Sequence, residues 1–289
     1  MTKDEIEQCL QRDFEALPPK LQKAAHYVLT CPAAIAMDSM RSSAVSANVQ
    51  PAVMLRLARH LGFENYEAFR GCYRSWVSNP AEAIYKRAEA LTRRAGDQQR
   101  QKLLEEILET SIRNLSMALG GDNSESLERA KGLIMGARTN YVLGLRSLFP
   151  AAYYLHYACS TLYDNFRLLT GLGSTMVDEL RRIEERDAIV IFSFYPYSVV
   201  SSQVAEFSKE RRASVIAITD SVVSPIARGA TEVVLMSNSS PSMFPSILPA
   251  MACAEALAAL LVASQQEQGL SQVEDLRAQL SRFNVFLNY

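Results

Sequence analysis

Five apolar segments separated by helical stretches occupy the second half of the chain, and no other feature constrains the fold as tightly. They are Tyr141-Val142-Leu143-Gly144, Arg167-Leu168-Leu169-Thr170, Ala188-Ile189-Val190-Ile191-Phe192-Ser193, Ser214-Val215-Ile216-Ala217-Ile218-Thr219-Asp220 and Glu232-Val233-Val234-Leu235-Met236. Strands this apolar need cover on both faces, and intervening helices supply it. The pattern therefore predicts a five-stranded parallel sheet flanked by helices. The helices are read at about 149–164, from Ser174, from Ser198 and, last, at about 245–266. In such open sheets ligands lie outside the carboxyl ends of the strands, where the strand order reverses.

The alternation begins only after Gly120-Gly121-Asp122. Before it the chain reads as helical throughout. Leu17, Leu21, Ala24, Ala25, Val28 and Leu29 recur at helical spacing and Pro32 closes that helix. A short segment, Pro32 to Met37, follows. Then come two short helices, about 40–47 and 50–61, and another at about 66–77 that stops before the breaker Asn79-Pro80. Residues 80–120 are helical and rich in charge, with an apolar stripe of Leu103, Leu104, Ile107, Leu108, Ile112 and Leu115. That stripe suits a connecting helix, and equally a two-helix connection that packs on a partner subunit. Three segments are therefore expected: 1–79, a helical linker 80–120, and 121–289.

An apolar fraction of 48% over 289 residues supports a packed globular chain rather than a disordered one. The overall balance, 30 basic residues against 31 acidic, leaves nucleic-acid binding to be judged from local charge. Between Arg41 and Trp76 five arginines stand against two glutamates, with no Lys or Asp. Five scattered cysteines without a C-x-x-C pair suit free thiols in a reducing compartment, and three dispersed histidines suggest no metal site. An acidic N-terminus is unlike a signal peptide, and the apolar run Ile247 to Ala263 is interrupted by Pro249 and Glu255. A cytoplasmic protein that needs neither membrane, metal nor cofactor is expected.

Within 50–61, Met54, Leu57, Ala58 and Leu61 share one face, which should pack inward. The opposite face carries Ala52, Arg56, Arg59 and His60. Two arginines and a histidine around a small residue suit a helix lying in the major groove, where Arg can grip guanine or a phosphate. Gln50 and Pro51 begin this helix, and first-turn residues reach bases first in such a motif. Val53 lies on the flank, within reach of a thymine methyl. An ordinary helical bundle would also place Arg56 and Arg59 on a solvated face. The run Met40 to Phe63, through Ala44, Ala47, Val49, Ala52, Arg56, Leu61, Gly62 and Phe63, resembles the DNA-binding motif of the RpiR/MurR family of bacterial regulators. Asn48 stands in place of the family's turn glycine, Gln50 in place of its capping serine and Val53 in place of a threonine. Asn tolerates the left-handed turn conformation, so the turn should survive. The lost hydroxyls point to a different operator.

The second half resembles the sugar-isomerase (SIS) fold that this family carries at its C-terminus. Gly144-Leu145-Arg146-Ser147 matches the first strand and its turn, where related domains place a serine near the ligand. Ile191-Phe192-Ser193-Phe194-Tyr195-Pro196-Tyr197-Ser198 occupies the place of a phosphate loop written roughly I-S-x-S-G-x-T. Ser193 and Ser198 align with two hydroxyl positions, while Tyr195 and Pro196 replace the second serine and the glycine. Hydroxyls and N–H groups at a helix N-terminus hold phosphate without a metal. Arg146, Ser147, Ser193, Tyr195 and Ser198 are therefore the candidate effector residues, although serines at such positions also simply cap helices.

The resemblance implies a ligand-responsive transcription regulator of carbohydrate or related catabolic genes. It would bind operator DNA as a homodimer or higher homo-oligomer and respond to a sugar phosphate or sugar acid. The alternative is a sugar-phosphate isomerase, which needs a base in its pocket. Glu179, Glu206, Glu255 and His156 are available, but no acid–base pair stands out, and no catalytic residue is assigned.

Overall fold

The computed structural model describes residues 1–78, 80–94 and 96–286; the breaker read at Asn79 lies outside them. Helices precede the first strand throughout: α1 (Lys3–Asp13), α2 (Pro19–Thr30), α3 (Pro32–Met37), α4 (Met40–Ser46), α5 (Pro51–His60), α6 (Tyr66–Ser78), α7 (Pro80–Thr92), α8 (Asp97–Leu119) and α9 (Asp122–Gly136). The alternating half follows: β1 (Asn140–Gly144), α10 (Phe149–Ser160), β2 (Phe166–Leu168), α11 (Met176–Leu180), β3 (Ala188–Phe192), α12 (Val199–Glu210), β4 (Ser214–Thr219), β5 (Glu232–Leu235), α13 (Leu248–Ala263) and α14 (Gln266–Arg282).

The expected fold class is present. An all-helical first part containing a helix-turn-helix precedes a five-stranded sheet of order β2-β1-β3-β4-β5, with every pairing parallel. Strand order reverses at β1, whose two neighbours are β2 and β3, so the switch point lies between β1 and β3. Alternate residues feed two cores. Val142, Val190, Phe192, Ile216 and Ile218 pack with α9, α10 and α13. Tyr141, Leu143, Ile189, Ile191, Val215 and Ala217 face the other way and pack with Leu180 of α11 and Val204 and Ala205 of α12. The central strands β1, β3 and β4 read apolar because neither face meets water, whereas the edge strand β2 leaves Arg167 exposed.

Two details fix the sheet. Gly144 ends β1 where α10 comes closest: a Cβ there would stand 2.5 Å from the Leu148 carbonyl oxygen and 2.8 Å from the Ala152 Cβ. At the opposite edge, Arg138 grips the buried Asp187 with two hydrogen bonds, Nε to Oδ1 at 2.9 Å and Nη2 to Oδ2 at 2.8 Å. This bidentate pair joins the entries of β1 and β3.

In the helical part Ile6, Leu10, Leu21, Val28, Ile35, Met54, Leu57, Phe69 and Tyr73 form one core. The stripe Leu17 to Val28 is buried as its periodicity predicts. The segment Pro32 to Met37 is a helix, closed by Arg70, whose guanidinium donates to the Ala36 and Met37 carbonyls at 3.3 and 3.0 Å.

Some elements differ from expectation. α9 lies between 121 and the first strand, and α14 follows the helix expected to be last. The helix expected from Ser174 is only Met176–Leu180, preceded by a turn in which Gly171 and Gly173 take positive φ. Near its C-terminal end α8 buries Ala118 in the core beneath the sheet. Its Asn114 donates to the Ser239 carbonyl at 2.8 Å and accepts from the Ser237 hydroxyl at 2.9 Å. Leu104, Leu108 and Ile112 on the same helix are exposed. Among the described residues no helix is long and apolar enough to cross a membrane.

Candidate functional site

The helix-turn-helix is α4, a turn at Ala47–Gln50, and α5. Ser39 caps α4 by accepting from Ser42 N at 3.2 Å. Asn48 adopts φ 52°, the left-handed conformation expected of it, and Val49 N closes the turn on the Ala44 carbonyl at 2.9 Å. Tyr66 pins α4 to α6 with a hydroxyl that donates to the buried Ser43 Oγ at 3.2 Å. Pro51 opens α5 at a first-turn position, where its missing N–H costs nothing.

Met54, Leu57 and Ala58 are buried, whereas Gln50, Pro51, Ala52, Arg56, Arg59 and His60 are exposed on one side. The Val53 expectation is corrected. Its side chain is only 8% exposed and belongs to the core, because α2 packs against α5 on that flank. Its methyls meet protein and cannot reach a base. α6 packs behind α5 through Tyr66, Phe69 and Tyr73, and leads towards the sheet.

At the carboxyl edge the five candidate effector residues lie in the loops after the neighbouring strands β1 and β3, in different surroundings. Arg146, at φ 55°, and Ser147 are exposed in the turn after β1. Ser193 is buried, and its N donates to the Ile218 carbonyl at 3.0 Å. Ser198 caps α12, its Oγ accepting from Ser201 N at 3.5 Å. Tyr195 follows a different course. A cis peptide joins it to Pro196, its N donates to Asp220 Oδ2 at 3.1 Å, and its hydroxyl donates to the Trp76 carbonyl at 2.6 Å. The Tyr195 and Trp76 rings have centroids 3.9 Å apart.

This contact borders a cavity of about 650 Å³ between the helical part and the carboxyl ends of β3, β4 and β5. Tyr195 lines it; Arg146, Ser147, Ser193 and Ser198 do not. Its sheet-side wall is Tyr195, Pro196, Asp220, Asn238 and the serine-rich loop 239–242. Its helical wall includes Lys3, Glu7, Trp76, Arg94 and Arg113. Lys3 Nζ lies 2.8 Å from Glu7 Oε2 and 4.8 Å from the centre of the Trp76 ring. Arg94 pairs with Glu106 at 2.6 Å.

Asp220 was not singled out by the sequence, although an acid ending an apolar strand is a signal. It is buried, and burial pushes its carboxyl up from the ordinary value while the Tyr195 N–H and Tyr197 oppose that rise. Burial likewise pushes the Tyr195 phenol up to about 12. No local pattern marks Trp76, the single tryptophan, as a site residue. Of the bases weighed for an isomerase, Glu179, Glu206, Glu255 and His156 all lie off the cavity wall.

Residues 133–260 match the SIS domain family. No curated protein matches the chain. The sugar isomerase domain of an RpiR transcription factor from Sphaerobacter thermophilus is similar over 61% of this chain and 99% of its own, with 25% identity and a TM-score of 0.57. The Vibrio vulnificus NanR protein, solved with ManNAc-6P, aligns over 98% of this chain and 100% of its own, with 16% identity and a TM-score of 0.57; that likeness is one of fold. A putative sugar-phosphate isomerase from Listeria monocytogenes shares the fold over 59% of this chain and 93% of its own, with 15% identity and a TM-score of 0.50. The resemblance to RpiR-type regulators with a SIS domain, read from the sequence, thus extends to the three-dimensional structure.

Proposed function

We propose that this SIS-domain chain is a ligand-responsive bacterial regulator that binds operator DNA, controls carbohydrate or related catabolic genes, and is not an enzyme. In this reading residues 1–79 form the DNA-binding domain, 80–120 a helical linker and 121–289 the effector domain of a cytoplasmic homodimer. The observation that carries it is the exposed face of α5. Gln50, Pro51, Ala52, Arg56, Arg59 and His60 stand free of the core at the second helix of a tight helix-turn-helix. Arg56 and Arg59 supply the base or phosphate grip, and Pro51 and Ala52 let the helix approach closely.

A small-molecule effector acts by linkage. It binds one arrangement of the two parts better than another and shifts DNA affinity by its differential affinity, typically about 1–3 kcal/mol. The physical route is short: α5 packs on α6, and α6 meets Tyr195 through Trp76 at the ligand edge of the sheet. An electrophoretic shift assay on DNA upstream of the protein's own gene, at low salt, tests the reading. A retarded band that weakens as salt rises is expected; folded protein that retards nothing would remove the proposal.

A further inference from the structure

A phosphate monoester needs several donors converging on one point, with no carboxylate beside them. On its cavity side, where only Tyr195 and Pro196 stand, the loop after β3 offers little of this. The Ser193 and Tyr195 N–H groups are spent on the Ile218 carbonyl and on Asp220. Pro196 has no N–H. The Ser198 hydroxyl caps α12 and lies off the cavity wall. Asp220 itself, buried behind Tyr195, also accepts from Asn238 Nδ2 at 3.4 Å.

The cavity beyond this loop has a different chemistry. Among its described lining residues five cationic side chains face five carboxylates, so it carries no net field for an anion. Three of its cations are held by carboxylates, Lys3 by Glu7, Arg94 by Glu106 and Arg12 by Asp13, and Arg113 donates to Gln11 and Thr110. The remaining groups on the sheet side are the Asn238 amide and the hydroxyls of Ser239, Ser240 and Ser242. The Ser240 hydroxyl accepts from Ser242 N at 3.1 Å and keeps its own proton to donate. The Trp76 and Tyr195 rings add apolar surface that suits the C–H face of a ring or chain.

We propose that this inter-domain cavity takes an uncharged, hydroxyl-bearing molecule of sugar or polyol size and excludes phosphate monoesters. The inference rests on the ligand-responsive reading above and gives its effector a chemical class. Such a ligand would exchange hydrogen bonds with water for hydrogen bonds with Asn238 and the serines, without desolvating a dianion next to Asp220.

Calorimetric titration of the full chain with matched pairs tests it: glucose, N-acetylmannosamine and sorbitol, each against its 6-phosphate, with inorganic phosphate as a further probe. At least one parent compound is expected to bind, its 6-phosphate at least about tenfold more weakly, and inorganic phosphate not at all. A 6-phosphate that binds as well as its parent overturns the proposal, and so does silence from every parent compound. Two variants, each checked for fold by circular dichroism, localise the effect. Asn238→Ala should weaken the parent compound about tenfold. Asp220→Asn should narrow the gap between parent and phosphate. Unchanged affinities in both variants would move the ligand out of this cavity. No DNA enters the assay, so its result stands apart from that of the shift experiment.

Discussion

The Tyr195 hydroxyl donates to the Trp76 carbonyl at 2.6 Å while the two rings lie with centroids 3.9 Å apart. One residue belongs to the loop after β3 and the other to the helix that backs α5. Tyr195 occupies the position at which the sequence resemblance to a SIS phosphate loop would put a small hydroxyl residue. Its side chain reaches from the loop to Trp76 in the helical half of the chain. A ligand that disturbs this loop must therefore work against a contact held by α6.

Tyr195→Phe keeps the ring contact and removes the hydrogen bond. The loss should be about 1 kcal/mol, or about fivefold in local opening. Hydrogen exchange across α6 should speed up by that factor, with exchange in β3 and β4 unchanged. Uniform acceleration through the whole chain would instead mark a global loss of stability.

Asp187→Asn should destabilise the protein by about 1–2 kcal/mol near neutral pH, because it weakens the charge-assisted hydrogen bonds to a half-exposed Arg138 that keeps Glu184 as a second partner. Burial works to raise the Asp187 carboxyl, but hydrogen bonds from Arg138 and the Glu184 N–H outweigh it and hold the group below its ordinary value. A carboxylate depressed on folding contributes stability above its unfolded pKa and loses it as pH falls through the folded value. Urea unfolding from about pH 7 to about pH 3 should show an acid limb that the variant lacks. Asp220 has the opposite sign. Its carboxyl is raised on folding, so its contribution declines as pH rises above the ordinary carboxylate value.

Gly144→Ala should cost about 2 kcal/mol in urea unfolding. The added methyl meets the Leu148 carbonyl and the Ala152 Cβ, both on backbone or short side chains that cannot swing aside. Unchanged stability would mean that α10 can retreat from the end of β1.

Val53→Ala should cost about 1–2 kcal/mol through lost burial and leave DNA affinity alone wherever the variant is folded. A drop in DNA affinity without a drop in stability would restore Val53 to the DNA-facing surface.

The sheet was legible because its central strands are apolar on both faces, and all five strands appear within one or two residues of their sequence positions. α9 was not legible: its inward face is mainly Leu127, Ala130, Leu133 and Ile134 amid charged neighbours. Val53 misled for a geometric reason. Its helical phase puts it at the border of the apolar face, and only the tilt of α2 against α5 decides which side it joins. The cavity was hidden for a third reason. It forms between segments as distant as Lys3 and Ser242, and no local pattern records that Trp76 would meet Tyr195. The phosphate-loop serines were found by position in the motif, yet Ser193 is buried and Ser198 turned to its own helix.

α5 is proposed to read DNA with its exposed arginine face, and Arg56 tests this most directly. Fluorescence anisotropy should compare the parent protein and Arg56→Ala on one labelled fragment from upstream of the gene, at one fixed salt concentration. Arg56 is exposed and outside the core, so the variant should melt with the parent. Its affinity should fall about tenfold or more, the loss expected for one base- or phosphate-gripping arginine. Equal affinity of the two proteins for that fragment would contradict the account.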